Sequence, residues 1–132
     1  MRIVGSPSTT DPHGLSCDIA TADGEAVVAV AGELDLATAP LLGDVVGGLR
    51  DPGIDTVVLD VTDLEFCDSS GLAVLVRSHQ AAEEHGVRVV VRSPRPAVRS
   101  LLEITRLQYL MESSGADDRP LPSVTGRPGR SA

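Results

Sequence analysis

The chain contains no lysine and no tryptophan, so all eleven of its cationic side chains are arginines. Phe66 and Tyr109 are the only aromatics, too few for the stacking platform on which single-stranded nucleic-acid binders seat successive bases. The formal net charge is −8, and residues 15–111 hold the whole excess, with fifteen acids against seven arginines. An acidic domain repels phosphate backbones and anionic lipid heads, so neither nucleic acid nor membrane is an expected partner. A protein with a basic patch is. The two cysteines, Cys17 and Cys67, lie fifty residues apart, and neither has a Cys or His at metal-ligand spacing. Reduced, buried thiols are expected, with no metal and no cofactor. A signal peptide and an apolar run of membrane-spanning length are also missing, which makes the cytoplasm the expected location. Arginine, alanine, glycine and valine in place of lysine fit a GC-rich bacterial genome.

Catalytic signatures are scarce as well. Ser70 could act as a nucleophile, but the elbow pattern Gly-x-Ser-x-Gly is absent because Asp68 stands where glycine is needed. No histidine is placed as its base: His13 belongs to an N-terminal arm, His79 is expected to face the core, and His85 ends a helix. Cys67 precedes the turn and is expected to point inward. Without a phosphate-binding glycine loop, nucleotide hydrolysis has no support either. The expectation is a protein that is not an enzyme.

The length of 132 residues suits one domain with loose ends. Residues 1–14 mix Gly, Ser, Thr and Pro without periodicity and read as a flexible arm. Leu15–Thr21 and Glu25–Ala31 are strand-like runs around Asp23-Gly24, a strong hairpin signal. A helix is expected from Thr38 to Leu49, with Pro40 in its first turn. A buried strand follows at Thr56–Val61. Beyond Asp68-Ser69 a helix is expected to run to His85, with Leu72, Leu75, Val76 and His79 inward and Gly86 as a left-handed cap. Val87–Val91 reads as a strand, Ser93-Pro94 opens a third helix, and Gln108–Met111 reads as a last strand. From Glu112 onward the Pro, Gly and Ser content reads as a disordered tail.

The predicted fold class is therefore α/β: a single domain over 15–111 with a mixed, mostly parallel sheet of four to five strands packed with helices. The element order is β-β-α-β-α-β-α-β. In such sheets the working groups collect beyond the carboxyl ends of the parallel strands. Three turns are expected there side by side: Gly32–Thr38, Cys67–Gly71 and Ser93-Pro94.

Asp68-Ser69-Ser70-Gly71 carries the most unusual chemistry of the three. Asp and Ser are good N-caps because their oxygens accept free amide hydrogens of the first helical turn, and one cap needs one residue. The second serine, Ser70, is expected inside that turn and pointing outward, with Gly71 giving a visitor access to the backbone. Its hydroxyl could be phosphorylated, and the helix dipole would tolerate the phosphate. Val74, one turn after Ser70, is expected on an outer contact face.

Gly32-Glu33-Leu34-Asp35, Thr38-Ala39, Asp63-Leu64 and Phe66-Cys67-Asp68-Ser69-Ser70-Gly71-Leu72 together resemble the STAS domain of bacterial anti-sigma factor antagonists. The resemblance covers 15–111. It implies a STAS fold and a partner-switching regulator that binds an ATP-binding serine-kinase anti-sigma factor, so that a sigma factor is released in transcription regulation such as a stress response. It further implies that the kinase phosphorylates Ser70 and breaks the complex, and that a serine phosphatase restores it. The partner surface so implied comprises Asp35, Thr38, Asp68, Ser69, Gly71, Val74 and Ser93. A STAS module that senses a ligand or scaffolds a complex not acting on a sigma factor fits the same residues. The chain departs from the family's pattern where a C-terminal helix usually follows, and at Arg106, where glycine is frequent.

Overall fold

A computed structural model describes residues 4–5, 9–10, 14–49 and 51–111. Strands β3 (Leu15–Ala22) and β4 (Glu25–Leu34) form the expected hairpin. Asp23 and Gly24 both adopt positive φ, 51° and 84°, the pair of values that a two-residue turn matched to strand twist requires. β5 (Thr56–Asp60) pairs parallel with β4, and β7 (Arg88–Arg92) pairs parallel with β5. Between them β6 (Leu64–Cys67) runs parallel to the far end of β4, with a register shift at Gly32/Glu33. The fold class is as expected, a single α/β domain with a mixed sheet and three helices, although its pairings divide evenly, three parallel and three antiparallel.

Three parts of the expected order differ, the first being β6, a strand between β5 and α2 that the expected order did not count. Within the arm, β1 (Val4–Gly5) and β2 (Thr9–Thr10) pair antiparallel with the outer edge of β3. The remainder of 1–13 and the whole expected tail, 112–132, lie outside the described residues. Gln108–Leu110 is a 3-10 turn and not a strand, and only Met111 bridges to Val91 of β7. Gln108 and Tyr109 are both exposed and Leu110 is buried, so the alternation of a strand is absent. A run as short as Gln108–Met111 cannot by itself distinguish a strand from a helical turn.

The period-2 alternation of the strands divides the core in two. Ala26, Val28 and Val30 of β4, Val57 and Leu59 of β5, and Val89 and Val91 of β7 face the helices α1 (Ala39–Gly47), α2 (Ser69–Glu83) and α3 (Pro96–Ile104). Leu42, Leu72, Leu75, Val98 and Leu102 fill that layer from above. On the opposite face Ala22, Val27, Val58 and Val90 form a second, smaller cluster that no residue of a described helix joins. There the buried Arg92 meets its cross-strand neighbour Asp60 at 3.6 Å. At the end of α3, Arg106 holds φ +62°, a left-handed conformation that glycine adopts at no steric cost.

Candidate functional site

The ends of β4 and β6 bring two of the three expected turns together. Leu34 pairs with Cys67, and the Asp68 amide donates to the Leu34 carbonyl at 3.2 Å. Because α1 follows one strand and α2 the other, both helices begin on this edge of the sheet.

In the first turn, the Asp35 carboxylate accepts from the Ala37 amide at 3.0 Å and the Thr38 amide at 3.1 Å. The Thr38 hydroxyl accepts from the Asp35 amide at 2.9 Å and donates to the Glu33 carbonyl at 2.8 Å. Thr38 is wholly buried. Short polar side chains of this kind can replace the missing backbone partners at a helix start. Asp35 and Thr38 therefore build the turn, and Thr38, expected on the partner surface, has no surface to offer. What the turn presents is Leu36, 77 % exposed on a backbone locked from both sides.

In the second turn Asp68 alone is the N-cap of α2, accepting from the Ser70 amide at 2.9 Å and the Gly71 amide at 3.1 Å. Such a cap is worth about 1 kcal/mol. Ser69 is exposed and Ser70 half-buried. Among the described residues neither serine hydroxyl takes part in a hydrogen bond, so neither is needed to start the helix. Phe66, just upstream, is 48 % exposed.

Gly71 and Val74 correct the expectation drawn from the sequence. A Cβ on Gly71 would lie 2.8 Å from the Cys67 sulfur and 2.8 Å from both Leu34 Cγ and the Leu34 carbonyl oxygen. Gly71 is thus the point where α2 is pressed onto the strand ends, and it gives no visitor access. Val74 is 4 % exposed and packs toward Gly43 of α1, so it is a core residue and not an outer contact. Val76, expected inward, is only partly buried; the inner row runs Gly71, Leu72, Val74, Leu75, Ser78. The row is rotated because α2 packs against α1 as well as against the sheet.

The third turn lies on the same edge but keeps other company. The Arg92 carbonyl accepts from the Val61 amide at 3.0 Å, and Arg95 donates to the Thr62 carbonyl at 2.9 Å and meets Asp63 at 3.8 Å. Ser93 itself is exposed, with φ +59°.

The remaining reactive groups are quiet. Burial first and the neighbouring aspartate second push the Cys67 thiol up to about 12 and the Cys17 thiol up to about 11, so both stay protonated. A protonated, buried thiol is a poor nucleophile. His79 is held between the Val89 carbonyl at 3.4 Å, Glu83 at 3.4 Å and the edge of the Tyr109 ring. His85 lies at the far end of α2 against the Ala81 carbonyl. Among the described residues no group of three or more His, Cys, Asp or Glu side chains could hold a metal ion, and no helix is long and apolar enough to cross a membrane.

Between α1 and α2 runs an open cavity of about 730 Å³. At one end it is lined by Leu36, Pro40, Ser70 and Ala73, and at the other by Ile54 and His85. Leu36, Phe66 and this groove were not legible in the residue pattern. A lone apolar residue in a loop has no periodicity to mark it, and a groove exists only once two helices are packed.

A capped helix start and a pinned loop thus stand side by side at the carboxyl edge of this mixed α/β sheet. Residues 17–112 match the family described as Mlab, STAS domain, and the chain belongs to that family. The anti-sigma-B factor antagonist of Staphylococcus aureus is 29 % identical over 97 residues, which span 74 % of this chain and 90 % of that protein. Among solved structures, an anti-sigma factor antagonist from Mycobacterium paratuberculosis superposes with a TM-score of 0.67 at 27 % identity, covering 79 % of this chain and 88 % of the other. The unphosphorylated anti-sigma factor antagonist SpoIIAA shares the fold, with a TM-score of 0.63 at 21 % identity over 72 % of this chain and 84 % of the other.

Proposed function

We propose that this protein is an anti-sigma factor antagonist of the bacterial cytoplasm. It binds a serine-kinase anti-sigma factor through the edge carrying Leu36, Phe66, Asp68, Ser69 and Ser70, with Asp35 shaping the loop and Ser93 at the margin, and so frees a sigma factor. The kinase moves the γ-phosphoryl group of ATP to the Ser70 oxygen, releasing ADP and the hydroxyl proton. A serine phosphatase hydrolyses the ester and restores binding.

The observation that carries this reading is the pair of serines left over once Asp68 has capped α2. Of the two, Ser70 lies at the mouth of the groove beside Leu36, where a phosphate would obstruct contact. The phosphate brings nearly two negative charges next to the Asp68 carboxylate. The positive end of α2 offsets part of that charge, so the fold is expected to survive. The interface is not, since misplaced charge there costs several kcal/mol and each 1.4 kcal/mol is tenfold in affinity.

The test is phosphorylation of the full chain by the anti-sigma kinases of its own genome, followed by mass spectrometry. Phosphate on Ser70, retained in Ser69→Ala and lost in Ser70→Ala, is the expected result. Modification of Ser69 alone, or none by a kinase that binds, refutes the assignment.

A further inference from the structure

The facing sides of α1 and α2 are poor in bulk. Ala39, Gly43 and Gly47 of α1 and Ala73 and Ala81 of α2 all line the groove. Gly43 permits close approach, because a Cβ there would be 3.3 Å from a Val74 methyl. Gly47 does not need to be small for that reason: a Cβ there would meet nothing within 4 Å. The groove floor is apolar, with Val46, Leu49, Ile54, Val57 and Val74 along it. Its rims are charged and unlike, with Asp44 and Asp51 on the α1 side and Arg77 on the α2 side. At the mouth stands Leu36, an exposed apolar side chain on a hydrogen-bonded turn.

Two features decide what fits there. The Ser70 and Gly71 amides at the start of α2 are already satisfied by Asp68, so those two donors are not open to a ligand. Small-molecule sites fix their ligand by a few convergent polar groups, whereas the polar lining here is spread between Ser70 at the mouth, the buried Ser78 and the charged rims. An amphipathic helix needs only an apolar trough, an anchor and charged margins. With nine residues, α1 is about 13 Å long at 1.5 Å per residue, which matches two to three turns of a helix lying alongside it.

We propose that the α1–α2 groove seats an amphipathic helix of the anti-sigma factor. Its apolar side chains lie over Gly47, Ala73 and Ala81, its basic flank faces Asp44 and Asp51, and an acidic residue faces Arg77. Ser70 sits at the entrance of this seat, so its phosphate blocks a groove and not merely a point of contact. This rests on the partner assignment made above.

The proposal is tested by titrating the full chain, by calorimetry, with the anti-sigma kinase that modifies Ser70. Gly47→Leu and Ala81→Trp place bulk in the groove, and Ser100→Leu places it on the exposed side of α3. The groove variants are expected to keep the wild-type circular dichroism and melting yet bind at least tenfold more weakly, while Ser100→Leu binds as wild type. If Gly47→Leu fails to fold, Ala81→Trp, at an exposed position, decides alone. Wild-type affinity in the folded groove variants overturns the proposal, whatever small molecule the groove then proves to hold. A wild-type chain that no such kinase binds or modifies removes the partner assignment and this occupant together. A chain modified at Ser70 but indifferent to groove bulk removes the groove alone.

Discussion

Replacing Gly71 by alanine adds one methyl group at the most crowded point of the site. That carbon would fall 2.8 Å from the Cys67 sulfur, from Leu34 Cγ and from the Leu34 carbonyl oxygen, well inside van der Waals contact. The leucine side chain could turn aside, but the carbonyl is held, since it accepts the Asp68 amide at 3.2 Å. Overpacking of this kind costs about 1–3 kcal/mol, against which alanine recovers about 1 kcal/mol of helix propensity. The expected net loss is about 0–2 kcal/mol, with a fall in Tm of roughly 4–8 °C for each kcal/mol in a domain of this size. Gly47→Ala is the internal control, because the same methyl meets nothing within 4 Å there and should stabilise by about 0.5 kcal/mol. Urea and thermal unfolding followed by circular dichroism read both. A Gly71→Ala protein as stable as Gly47→Ala would show that α2 is not wedged on the strand ends, and that the glycine serves access after all.

The lack of lysine leaves the alkaline range unusually clean. Cys17 and Cys67 are raised from 9.0 to about 11 and about 12 in the folded state, so the unfolded chain releases these protons first. Stability is full below pH 9 and falls as pH rises through 9 to 11, by about 1.4 kcal/mol per unit for each thiol. Urea unfolding at pH 8 and pH 10 should show this loss, and the double variant Cys17→Ala, Cys67→Ala should largely flatten it; an equally steep loss in the double variant would refute the cause. Arg106→Gly relieves a left-handed arginine at φ +62° and should raise stability by about 0.5–1 kcal/mol. An unchanged or lower urea midpoint would mean that the arginine side chain repays the strain.

How much could be read from residues alone depended on range. The hairpin at Asp23-Gly24, the buried strands at Val27–Val30 and Val57–Leu59, and the helix start at Asp68 are local matters of turn chemistry, side-chain period and capping. Each was legible because neighbours within a few positions decide it. The surplus serine at the head of α2 was legible for the same reason. Gln108–Leu110 was not, because so short a run satisfies a strand and a helical turn equally.

The roles of Thr38, Gly71 and Val74 belong to the tertiary structure. All three stand in or beside a motif that marks a contact surface, yet packing turns them inward: Thr38 under the Glu33–Asp35 turn, Gly71 onto Leu34 and Cys67, Val74 against α1. On the same edge Leu36 and Phe66 are the large apolar side chains that this packing leaves exposed. By itself the sequence determined the class of domain, its acidity and the helix start that leaves Ser70 uncommitted, because composition, periodicity and capping are written in the chain. Which neighbours face outward, and that a groove leads away from Ser70, was decided only when α1 and α2 met, since burial is a property of the packed pair and not of either helix.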